Sequence, residues 1–151
     1  MAVVWFEFWL PILCGIGQQT YHPLKEVRQH AFAYLQRALL SPVLESSAGS
    51  VSSCETWVDV FENVLFPLLE ELLQNEVFGK MDKTGVDEAR LSTCSLLCKI
   101  FLQFLPKLES YSELDILWMK LLEYLLKFMM KNEKQGFLVR FWLSVLFFTT
   151  M

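Results

Sequence analysis

Apolar residues recur along this chain at the three-and-four spacing of a helix face, and no segment keeps the two-residue alternation of a half-buried strand. The pattern predicts a first helix over residues 9–19 and a second opened by Pro23, at a position where a missing N–H costs nothing. In that second helix Val27, Ala31, Tyr34, Leu35 and Ala38 form the apolar stripe, with Lys25, Gln29 and Gln36 opposite, until Ser41-Pro42 stops it. Residues 46–53, rich in serine, read as a connection. Ser52-x-x-Glu55 then carries the signature of a capping box. The third helix puts Trp57, Phe61, Val64, Leu65, Leu68 and Leu72 on one stripe, and Pro67 inside it predicts a kink. After a turn over residues 79–85 and a second capping signal, Thr84-x-x-Asp87, a fourth helix over 86–105 is apolar around much of its circumference, so it must be covered on more than one side. A fifth begins near Ser112-x-x-Asp115, packs through Leu114, Leu117, Trp118, Leu121, Leu122, Leu125 and Met129, and ends within 132–136.

These helices repeat. Val27 and Ala89 stand 62 residues apart, and the same interval pairs Arg28 with Arg90, Leu35 with Leu97, Arg37 with Lys99 and Leu40 with Leu102. At an interval of 61, Trp57, Phe61 and Val64 pair with Trp118, Leu122 and Leu125. Self-similarity at a fixed interval is left by stacked units that can bury their apolar faces only against one another. The expected fold is all-α, a HEAT/TPR-like right-handed helical-repeat solenoid of about five to six helices. Its expected span is residues 9–136, with 1–8 as an N-terminal extension and 137–151 as an apolar tail that is either a helix or a misjoined end.

Composition changes this picture in two ways. A hydrophobic share of 54% and a mean hydropathy of +0.35 are high for a 151-residue soluble monomer, so part of the apolar surface is expected to face something else. A net charge of −4 and a pI of 5.2, without a basic stripe, exclude nucleic acid as the expected partner. Residues 1–16 have no basic leader and are interrupted by Glu7 and Pro11, and the apolar part of 137–151 falls short of the ~20 residues that span a bilayer.

The sequence shows none of the convergent arrangements that catalysis requires. The glycines lie in turns without a phosphate-binding run, and Glu70-Glu71 reads as a solvated helix face. Cys14, Cys54, Cys94 and Cys98 lack the paired spacing of a zinc site, and four-residue spacing on an apolar helix marks Cys94 and Cys98 as core residues. No catalytic, cofactor or metal-binding residue is expected. Five positions stand out as structural or contact candidates. Arg28 and Arg90 sit at the stripe edge, where a guanidinium can lie on the core and bond a neighbouring unit. Trp57 and Trp118 are expected core anchors. Phe32, near Lys25, Gln29 and Gln36, meets either a neighbouring helix or a partner.

Four segments taken together resemble a known family: Trp9-Leu10-Pro11-Ile12-Leu13; Val27-Arg28 with Ala31 and Tyr34 to Leu40; Phe61 with Val64 to Leu69; and Leu96 to Gln103. They are similar to the large brefeldin-resistant, GNOM-like Arf guanine-nucleotide exchange factors of the Golgi, in a helical region downstream of the catalytic domain. The resemblance implies a cytosolic protein, peripheral on Golgi or endoplasmic reticulum–Golgi membranes, whose family loads Arf GTPases with GTP in vesicle traffic. It implies a non-catalytic segment here, since nothing in the chain matches the exchange domain. Its implied partners are the rest of the same large protein, Arf indirectly and the Golgi membrane surface. The alternative from another class is a tail-anchored or membrane-associated helical protein unrelated to Arf exchange, motivated by residues 137–148.

Overall fold

The computed structural model describes residues 4–42, 44, 53–74 and 83–131. The expected capping residue Ser52 and the whole of segment 137–151 lie outside these described residues. Among them there is no strand, and the helices make five rods. The first is a π-helical turn, Trp5–Trp9, running into α1, Leu10–Gln19. The second is α2, Lys25–Leu39. The third joins α3, Ser53–Val60, through a second π-helical turn, Phe61–Leu65, to α4, Phe66–Leu73. The last two are α5, Lys83–Leu108, and α6, Leu114–Lys131.

The rods alternate between two layers. The first, third and fifth lie side by side in chain order, with α1 against the second π turn and α4 against α6. α2 and α5 form the other layer and pack on each other. The result is an all-α helical repeat whose two arginine-bearing helices, α2 and α5, are successive members of one layer.

Packing explains the apolar character of α5. It touches α2, α3, α4 and α6, so Val86, Leu97, Ile100 and Phe101 are all buried although they point in several directions. By length and composition α5 is apolar enough to cross a membrane, but half of that stretch is buried inside the stack, which is how a core helix behaves.

Three local expectations are corrected. The first rod is helical from Trp5, and the Trp5 side chain is fully buried with its indole Nε1 donating to Asp59 Oδ2 at 3.1 Å. α5 begins at Lys83, so Thr84 lies within the helix and does not cap it. Pro67 sits in the first turn of α4, directly after a π turn in which Phe66 N–H bonds Phe61 O. Pro11 stands in the same relation to the first π turn, where Leu10 N–H bonds Trp5 O. In both rods the widened turn ends two residues before the one that cannot donate to the ladder. The fifth rod has no proline, and α6 is regular from end to end.

Candidate functional site

Two buried arginines close the joints between consecutive rods. In α5, Arg90 is 3% exposed and its Nε donates to Leu72 O at 2.9 Å. Leu72 lies in the last turn of α4, where backbone carbonyls have no partner within the helix, so the guanidinium supplies both a hydrogen bond and a favourable charge at the negative helix end. Arg90 Nη1 also lies 3.8 Å from Asp87 Oδ1. Burial pulls the Arg90 guanidinium below its usual pKa, and Asp87 opposes that pull. In α2, Arg28 Nη1 donates to His22 O at 3.0 Å and Pro23 O at 2.7 Å, in the link between α1 and α2. Both arginines therefore tie an arginine-bearing helix to the chain just before it. Arg90 reaches the neighbouring rod, whereas Arg28 reaches its own approach segment.

The aromatic candidates lie inside the stack. Trp57 is buried and stacks on Phe104, with ring centroids 3.5 Å apart and planes 16° from parallel. Trp118 of α6 is half-buried and stacks on Phe101 at 5.0 Å, and Phe101 meets Phe61 edge-on at 6.1 Å. Such pairs add about 0.5–1.5 kcal/mol each beyond the burial of their surface. Phe32 is half-buried and borders a small cleft of about 190 Å³ between α2 and α5, with Arg28, Gln29, Glu88, Ala89 and Ser92.

Polar contacts join the rods at their rims. Lys120 Nζ donates to Glu62 Oε1 at 2.7 Å, and Tyr124 Oη donates to Glu70 Oε2 at 3.1 Å. Burial, with Glu70 beside it, pushes the Tyr124 phenol up to about 12. Burial raises Asp59 above the usual carboxylate range, partly offset by the hydrogen bond from Trp5. Lys25 Nζ lies 3.9 Å from Glu88 Oε2, between α2 and α5.

Among the described residues, no three His, Cys, Asp or Glu side chains converge on a common point. Burial pushes the Cys98 thiol up to about 12 and raises Cys94 as well, which favours the protonated form of both. Glu70 and Glu71 are exposed.

Among the described residues, apolar side chains are exposed on the first and fifth rods. On the first rod Phe6, Phe8 and Ile12 are exposed, and on α6 Ile116, Met119, Leu126 and Met130 form an outward stripe opposite the buried Leu117, Leu121, Leu125 and Phe128. Between α1 and α2 lies a shallow, mainly apolar groove of about 470 Å³, bounded by Ile16 and Gln19 on one side and by Glu26, Val27, His30 and Tyr34 on the other. Tyr34, expected in the core stripe, is exposed there with His30 stacked on it at 6.3 Å. The stripe that α2 actually buries runs through Arg28, Ala31, Leu35 and Leu39. Sequence reasoning missed this groove. The available signal was that Tyr34 and Leu96, in the same register 62 residues apart, are both large and apolar.

Comparison with known proteins agrees with this architecture. Residues 9–140 match the family described as GBF1-like, tetratrico peptide repeat region. The chain is 35% identical over 125 residues to the Golgi-specific brefeldin A-resistance guanine nucleotide exchange factor 1 homolog of Caenorhabditis elegans, covering 83% of this chain and 6% of that protein. It is 29% identical over 123 residues to the ARF guanine-nucleotide exchange factor GNOM of Arabidopsis thaliana, covering 82% and 8%. A third relative, ARF guanine-nucleotide exchange factor GNL1 of the same plant, is 26% identical over 125 residues, covering 82% and 8%. This chain thus spans less than a tenth of the length of the relatives it matches. No solved structure matches it.

Proposed function

This chain belongs to the GBF1-like tetratrico peptide repeat region family, and on that premise we propose that it is a non-catalytic helical scaffold segment of a large Arf guanine-nucleotide exchange factor. Its task is regulation or membrane recruitment in Golgi vesicle traffic. It works in the cytosol and peripherally on Golgi or endoplasmic reticulum–Golgi membranes, with the rest of the large protein as its immediate partner and Arf reached only indirectly.

The observation that carries the reading is the combination of sealed interior joints with open apolar ends. Arg28 and Arg90 close the links between rods, while the outer faces of the first rod and of α6 stay exposed, the arrangement of a unit that continues a stack. Arg28, Arg90, Trp57 and Trp118 serve, in this reading, to hold the stack together, and Phe32 serves the contact between α2 and α5.

The test removes the corresponding segment from a full-length relative. Nucleotide exchange on Arf in solution is expected to survive, and Golgi recruitment or its regulation in cells to fail. Loss of exchange in solution with normal recruitment would overturn the proposal. The purified chain alone should leave the rate of nucleotide release from Arf unchanged.

A further inference from the structure

The register shared by Arg28 and Arg90 lets one face of α2 be compared with the same face of α5. Tyr34 is 57% exposed and its counterpart Leu96 is 2% exposed. Val27 is half-exposed, and its counterpart Ala89 is buried. α5 has α2 packed beside it, with Gln29 and Phe32 next to Ala89 and Ser92, and with Lys25 Nζ 3.9 Å from Glu88 Oε2. On α2 the equivalents of Ala89, Ser92 and Glu88 are Val27, His30 and Glu26, and all three border the open groove of about 470 Å³.

We propose that this groove is a docking site for a separate amphipathic helix with the chemistry of α2 itself. That helix carries a lysine to meet Glu26 and, seven residues later, an aromatic side chain to lie against Val27 and His30, the spacing of Lys25 and Phe32. An acidic residue at the rim favours a basic helix and disfavours an anionic lipid surface. A second copy of this chain is a poor fit, because its own Lys25–Phe32 surface is already engaged by α5. The docking site follows from the repeat geometry, whether or not the chain serves Arf exchange.

The test titrates the full chain into a fluorescein-labelled synthetic peptide of residues 22–40 and follows anisotropy. Saturable binding is expected, weakened at least about tenfold by Tyr34→Asp, which places a charge in the apolar groove. Glu26→Lys is expected to weaken it by about twofold to fivefold, and a peptide carrying Lys25→Glu to restore it. Both substituted side chains are exposed, so the variants keep the fold. Absence of binding, or binding indifferent to Tyr34 and Glu26, would overturn the proposal. So would sensitivity to Glu88→Lys in place of Glu26→Lys, which would mean that the peptide had displaced α2 from its own place. Concentration-dependent dimerisation of the chain abolished by Tyr34→Asp would assign the groove to a second copy and would equally overturn it.

Discussion

α2 and α5 carry the same arginine at the same register, yet α2 is strongly amphipathic and α5 is apolar on nearly every side. The difference is one of neighbours. α5 lies between α2, α3, α4 and α6, whereas the Val27–Tyr34 face of α2 borders an open groove with only α1 along its side. A helix in a stacked repeat therefore records in its polarity how many sides are covered, and similarity between two such helices is best read at their joints. Arg28 and Arg90 are alike because each performs the same local task, while Tyr34 and Leu96 differ in exposure because their surroundings do.

The largest test of that comparison is truncation at Tyr34 and Leu96. Leu96→Ala should cost about 2–5 kcal/mol of stability by urea denaturation. Tyr34→Ala should stay within about 0.5 kcal/mol, and equal losses would break the comparison. Next come the arginines. Arg90→Met should cost about 1.5–3 kcal/mol, since its hydrogen bond to Leu72 O is buried. Arg28→Met should cost less, because Pro23 is exposed and water can replace the guanidinium there. The thiols give a smaller effect that depends on pH. Burial raises Cys98 in the folded chain from the ordinary 9.0 to about 12, so unfolded chains release that proton first. The associated stability is complete below 9.0 and falls as pH rises through the range up to about 12, with Cys94 acting in the same direction. Denaturation midpoints across that range should decline, and Cys94 and Cys98 should resist alkylation until the chain unfolds. The smallest effect concerns Glu88 and Glu26. Glu88→Gln should lose at most about 1 kcal/mol, and Glu26→Gln nothing measurable in the isolated chain.

Much of this fold is legible in the chain itself. Trp57, Phe61, Val64, Leu65, Leu68 and Leu72 are buried as their 3.6-residue spacing implies, and α5 is covered on several sides as its continuous apolarity requires. What periodicity conceals is which of two apolar faces meets a neighbour. Tyr34 shares spacing with Leu35 and Ala38, and only the position of α2 at the edge of its layer exposes it. The π turns are similarly hidden. Pro11 and Pro67 announce a fault in the ladder, but the choice between a bend and a widened turn depends on packing by the adjacent rods. Trp5 escapes notice because its indole needs Asp59, 54 residues away, to make sense of it.

One consequence of the fault at Pro67 concerns sliding. A proline there cannot donate to Asn63 O, four residues back, and Cys14 Sγ of α1 donates to that oxygen at 3.3 Å. Helices packed side by side through apolar ridges can ratchet past one another by about one turn, ~5.4 Å. A shift of that size would carry the thiol away from this particular carbonyl, and Trp5 Nε1 away from Asp59 with it. The carbonyl that Pro67 leaves open is thus one point at which the first rod is registered against the third.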